Sequence, residues 1–90
     1  MRSLVLDGST ITDRQTLHQA LTQTLSLPDW YGGNLDALFD ALTSLPEDTL
    51  LVLRHWDALE QTLGPYAPRL LRVLKNAEAE TNRLTLQWEE

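Results

Sequence analysis

Apolar residues along this chain fall into short groups whose spacing changes from one stretch to the next. Leu4-Val5-Leu6, closed by the turn dipeptide Asp7-Gly8, predicts a short buried strand. Thr12 with Gln15 three residues on has the form of a capping box, so a helix opens there. Leu17, Ala20 and Leu21 mark its buried face. It must end near Leu27-Pro28, because a residue before proline avoids helical angles. Gly32-Gly33 followed by Asn34, a good N-cap, predicts a second helix from about Leu35 to Thr43. Pro46-Glu47-Asp48 then breaks the chain ahead of Leu50-Leu51-Val52-Leu53. That unbroken apolar run predicts a central strand covered on both faces, as in parallel sheets. A short helical turn is expected around Asp57 to Thr62, before Gly64-Pro65. A longer helix, roughly Pro68 to Glu80, is expected to bury Leu70, Val73, Leu74 and Ala77. Leu84 to Trp88 alternates like an edge strand with one face covered.

Strands separated by helices require crossover connections, so the fold class is α/β: a three-stranded parallel sheet with three to four packed helices, each crossover right-handed. Ninety residues make a single domain, 1–90, large enough for one core. Hydrophobic residues are 42% of the chain and charged ones 22%, which excludes intrinsic disorder. The formal charge of -6 argues against nucleic acid or anionic lipid as partner, since both need clustered Lys and Arg. It favours a basic partner, with solubility alone as the other explanation. There is no cysteine, so disulfides and thiolate metal sites are excluded. No secretory or membrane-spanning segment fits, and the expected location is cytoplasmic.

Charge placement narrows the reading. At about 100° per residue, Leu35, Leu38 and Leu42 share one side of the second helix and face the core. Asp36, Asp40 and Thr43 fall together on its flank, and Phe39 sits at the boundary. Asp36, in the first turn, has a local explanation in the helix dipole. Asp40 lies beyond that turn, is a poor helix former and repels Asp36 by roughly 0.2–0.5 kcal/mol. No Lys or Arg three or four residues away pairs with it. A solvated surface acid and a binding acid both remain open. Trp30-Tyr31 either packs beneath the loop or presents a ring, and both types are common interface anchors.

Catalytic readings fare worse. Two carboxylates on one helix face, with Cβ atoms roughly 5–6 Å apart, cannot flank a glycosidic bond. His18 and His55 belong to no metal-binding pattern, and no nucleophile motif occurs. The expectation is a binding protein: not an enzyme, with no cofactor, no metal and no small-molecule substrate.

The stretch Leu27-Pro28-Asp29-Trp30-Tyr31-Gly32-Gly33-Asn34-Leu35-Asp36-Ala37-Leu38-Phe39-Asp40 closely resembles the barstar family of ribonuclease inhibitors. The likeness extends to Leu4–Gly8, Leu17-His18, Ala77-Glu78-Ala79-Glu80 and the last strand, so it covers nearly the whole chain. The resemblance implies a barstar-like fold and a bacterial inhibitor of a barnase-like, guanyl-specific secreted ribonuclease. In that family the second helix and its preceding loop enter the enzyme's RNA-binding groove and mimic RNA phosphates. Carried over, Asp40 meets the phosphate-binding pocket, Asp36 the neighbouring basic site and Trp30 the catalytic histidine region. Gly32, Asn34, Leu35, Thr43 and Ser44 supply surrounding contacts. Phe39 and Leu45 stand where the family often has tryptophan. Asn76 stands where it often has glutamate, with Glu80 one turn further along. The alternative is a non-inhibitory module that uses the same acidic face on another basic protein.

Overall fold

The structure, a computed structural model, describes residues 2–27 and 32–89. Strand β1 (Arg2–Asp7) leads through a 3-10 turn, Gly8–Thr10, to α1 (Arg14–Leu25) and α2 (Leu35–Leu42). Then come β2 (Thr49–Arg54), α3 (Trp56–Leu63), α4 (Tyr66–Glu80) and β3 (Leu84–Glu89). The sheet has the order β1-β2-β3, parallel throughout, as the alternation of strands and helices requires.

Register explains which residues are buried. One face of the sheet aligns Leu4, Leu51 and Leu86, then Leu6, Leu53 and Trp88. Its leucines join or pack against the core with Leu17, Leu21, Leu38, Leu42, Leu70 and Leu74 from the helices. The other face aligns Ser3, Leu50 and Thr85, then Val5, Val52 and Gln87. There Ser3, Val5, Thr85 and Gln87 are exposed. The expectation that β2 is covered on both faces is therefore corrected. Val52 is buried because neighbours in register shield a middle strand, while the edge positions of that face meet solvent.

Helix boundaries moved for local reasons. Asp13, not Thr12, caps α1: its Oδ1 accepts from the Thr16 amide and the Thr16 hydroxyl, each at 2.7 Å. Those two donors hold the Asp13 carboxyl below its usual range. The helix stops at Ser26, whose left-handed backbone (φ 53°) lets the Leu27 amide reach the Thr22 carbonyl. The turn expected around Asp57 is a full helix, α3. Helix α4 opens at Tyr66, ahead of Pro68, because proline in a first turn sacrifices no hydrogen bond. No described helix is long and apolar enough to cross a membrane.

Two contacts tie distant segments together. Gly8 packs against the start of α3, where an added Cβ would collide with the His55 carbonyl oxygen and lie 2.9 Å from Leu59 Cβ. His18 on α1 and Tyr66 on α4 are both buried, with His18 Nε2 and the Tyr66 hydroxyl 2.8 Å apart. Burial holds the His18 imidazole below its ordinary value of 6.5 and pushes the Tyr66 phenol up, against the opposing pull of Arg14 and Arg69.

Gly8→Ala is expected to destabilise the protein by about 1–3 kcal/mol, since backbone on the far side cannot step aside. Urea unfolding reads this as a lower midpoint with an unchanged slope. Stability equal to the parent would mean that β1 and α3 separate freely.

A second expectation concerns acid. A histidine whose folded value is depressed favours the unfolded chain once it protonates. His18's contribution is therefore complete above pH 6.5 and is lost as pH falls below that and through the depressed folded value. The loss precedes that of Asp13, whose depressed carboxyl contributes above its ordinary 3.8 and fails only at lower pH. Urea midpoints at about pH 7.5 and about pH 5 should differ less in His18→Gln than in the parent. Equal differences would show that His18 carries none of the pH dependence.

Candidate functional site

Helix α2 owes its position to a cap and two leucines. Gly33 takes a left-handed backbone (φ 71°), after which Asn34 is extended and its Oδ1 accepts from the Ala37 amide at 2.8 Å. This satisfies one of the free donors at the helix start and fixes where the turns begin. From there the 3.6-residue period places Leu38 and Leu42, both 0% exposed, in the core together with Ala41. The helix packs against α4, whose Leu70, Leu74 and Ala77 are buried in the same core.

The same rotation leaves Asp36 and Asp40 exposed. Among the described residues neither forms an ion pair; the pairs there are Arg2–Glu47 at 3.3 Å and Arg54–Glu89 at 2.7 Å. The two carboxylates thus stand one turn apart on a fixed helix, without a counterion among the described residues. Phe39 between them is half-buried against the core edge. The Thr43 hydroxyl donates to the carbonyls of Phe39 (2.9 Å) and Asp40 (3.2 Å), closing the helix end. Ser44 follows, exposed, and its amide donates to the Ala41 carbonyl at 3.2 Å.

The other sequence-derived positions divide. Gly32 and Asn34 are exposed and Leu35 is half-buried, so all three border the acidic flank. Asn76 and Glu80 are exposed on α4, one turn apart, on the helix against which α2 packs. Glu78 between them is already engaged: its Oε2 accepts from the Leu86 amide of β3 at 2.7 Å. Leu45 is a correction. At 6% exposed it belongs to the core cluster, so it supports the face from below and offers it almost no surface. Trp30 lies outside the described residues.

The fold also assembles a group that sequence reasoning did not join. The first turns of α1, α2 and α4 meet around a cavity of about 400 Å³ lined by Arg14, His18, Gly33, Asn34, Leu35, Asp36, Tyr66 and Arg69. The Arg14 guanidinium lies 4.3 Å from the Tyr66 ring centre and that of Arg69 5.7 Å away, within the range of cation–π attraction. Each pair shares a helix face, Arg14 with His18 and Tyr66 with Arg69. Nothing local in the sequence says that the two faces meet. The acidic flank consequently has a cationic border, which limits the partners that fit it.

Taken together, the arrangement is a rigid, unpaired negative ridge with an aromatic beside it, suited to a basic surface on another macromolecule. The chain is similar to a Bacillus subtilis (strain 168) protein named "Putative ribonuclease inhibitor YrdF", with 40% identity over 81 residues that cover 89% of each chain. The family described as Barstar (barnase inhibitor) matches residues 1–88. With that match running through every strand and helix described above, the chain belongs to the barstar family.

Proposed function

We propose that the protein inhibits a barnase-like, guanyl-specific secreted ribonuclease by setting α2 and the loop before it into the enzyme's RNA-binding groove. Asp40 occupies the phosphate pocket and Asp36 the adjoining basic site. Gly32, Asn34, Leu35, Phe39, Thr43 and Ser44 pack around them, and Asn76 and Glu80 meet the rim from α4. Trp30 stacks near the catalytic histidine, at a position where the family more usually has tyrosine. The inhibitor acts in the cytoplasm, where activity of the enzyme before secretion is the hazard.

One observation carries this reading: Asp36 and Asp40 are exposed, and without counterions among the described residues, on a helix anchored by fully buried leucines. Two fixed carboxylates one turn apart imitate successive backbone charges of a nucleic acid. They cost the free protein a few tenths of a kcal/mol in repulsion. Charge-assisted hydrogen bonds to guanidinium and ammonium groups more than offset that cost in the complex. Truncating one partner of a buried interfacial charge pair costs about 2–5 kcal/mol or more, a range anchored on the barnase–barstar complex and carried over to this relative.

Asp40→Ala is therefore expected to raise the inhibition constant against a barnase-like ribonuclease by roughly 30- to 4,000-fold. Inhibition as strong as the parent's would rule out the helix-plug mechanism. Association by the parent should slow steeply as salt screens the acidic face, which stopped-flow mixing at rising ionic strength reads directly.

The same substitution should leave the free protein slightly more stable. Alanine is the better helix former and the repulsion with Asp36 disappears, a gain of about 0.5–1 kcal/mol. A lower urea midpoint would instead assign Asp40 a structural role. A second reading, a module binding another basic protein through this face, draws on the absence of an acid at position 76. Recovery of a non-nuclease partner whose binding is lost in Asp40→Ala would favour it.

A further inference from the structure

Parallel sheets tend to bind ligands at the carboxyl ends of their strands, and this sheet has a shaped recess there. A single residue, His55, with a left-handed backbone (φ 55°), turns β2 directly into α3, so Trp56 is the first helical residue. Trp88 stands in the register row of Leu6 and Leu53. Those two leucines are buried, whereas Trp88 is 45% exposed. The Trp56 and Trp88 rings lie at 87° to each other with centres 5.3 Å apart. Together they wall a cavity of about 660 Å³ whose other lining residues are Leu53, His55, Asp57, Glu60 and Glu89.

Acids predominate among the charged side chains lining this corner. Asp57 and Glu60 form no ion pair among the described residues, and Glu89 is joined to Arg54 by contacts of 2.7 and 2.9 Å. Asp57 is accounted for by the helix start; Glu60, at the fifth position of α3, is not. Two perpendicular indoles border one volume, and the carboxylates beside them disfavour an anion. A group that is apolar over its surface yet positively charged satisfies both the rings and the acids. The cavity has the size of a small-molecule site and shares no residue with the α2 face.

We infer that the Trp56–Trp88 corner, with Asp57 and Glu60 at its edge, is a binding site for a small quaternary ammonium compound of the choline type. The trimethylammonium head lies in the corner against the two rings, and the acids supply the charge complement. This site is independent of ribonuclease inhibition.

The test is a titration of the full chain with choline chloride, sodium chloride being lowered in step to hold ionic strength. The indole N–H signals of Trp56 and Trp88 are followed by NMR. Saturable shifts of both signals are expected. The neutral isostere 3,3-dimethylbutan-1-ol, which keeps the shape and lacks the charge, should give none. Asp57→Asn with Glu60→Gln should weaken choline binding by about fivefold, and Trp88→Phe should retain binding that Trp88→Ala loses. The inference is overturned if neither indole signal shifts saturably, if the neutral isostere matches choline, or if the double variant binds choline as the parent does.

Discussion

Insertion of Leu38 and Leu42 into the core beside α4 is the contact on which the arrangement of this protein depends. A fully buried leucine contributes about 1.5–3 kcal/mol relative to an exposed one, far more than any effect acting on the helix surface. With both leucines at 0% exposure, the rotation of α2 about its axis is fixed, and so is the direction in which its flank points. Like-charge repulsion and the poor helix propensity of aspartate are too small to disturb that setting. An eight-residue helix is too short to be stable alone. Its order is a property of the core, and its outer surface is free to carry charge that local stability would select against.

That division of labour recurs through the molecule. Asp7 and Asp13 each accept local hydrogen bonds, and both carboxyls are held below their usual range by those donors. Glu47 is joined to Arg2 and Glu89 to Arg54, and Glu78 is bound to the backbone of β3. Asp36 and Asp40 have no such employment within the described residues. The distinction lies less in how acidic the protein is than in which acids are already satisfied. An acidic surface satisfied from within would repel a nucleic acid but would offer a basic partner nothing.

Much of this was legible in the sequence because periodicity and caps act locally. Asn34 and the leucines at 35, 38 and 42 define α2 without reference to the rest of the chain, so its exposed flank follows. What local pattern could not supply depends on neighbours. Thr12-x-x-Gln15 has the form of a capping box, yet the adjacent Asp13 carboxylate is the stronger acceptor and takes the position. The apolar run of β2 looks like burial under two layers, but shielding by the adjoining strands gives it the same composition. Leu45 lies only five residues beyond Asp40, and which side of the chain reaches the core there is set by the turn into β2. His18 and Tyr66 are 48 residues apart, and no spacing rule connects them. Their meeting, and the gathering of Arg14 and Arg69 with them, is a product of three helices starting at the same end of the sheet.

The Glu78 hydrogen bond bears on how such a protein can change. Strand β3 pairs with β2 alone in this sheet, so its outer rim carries amides that another polypeptide can use for β-type association. By occupying the Leu86 amide, Glu78 blunts that rim near its middle. Positions 76 and 80 flank it on the same helix and answer only to solvent and to whatever docks there. Charge can therefore be changed at those two positions of α4 while the residue between them keeps the Leu86 amide closed to β-type pairing.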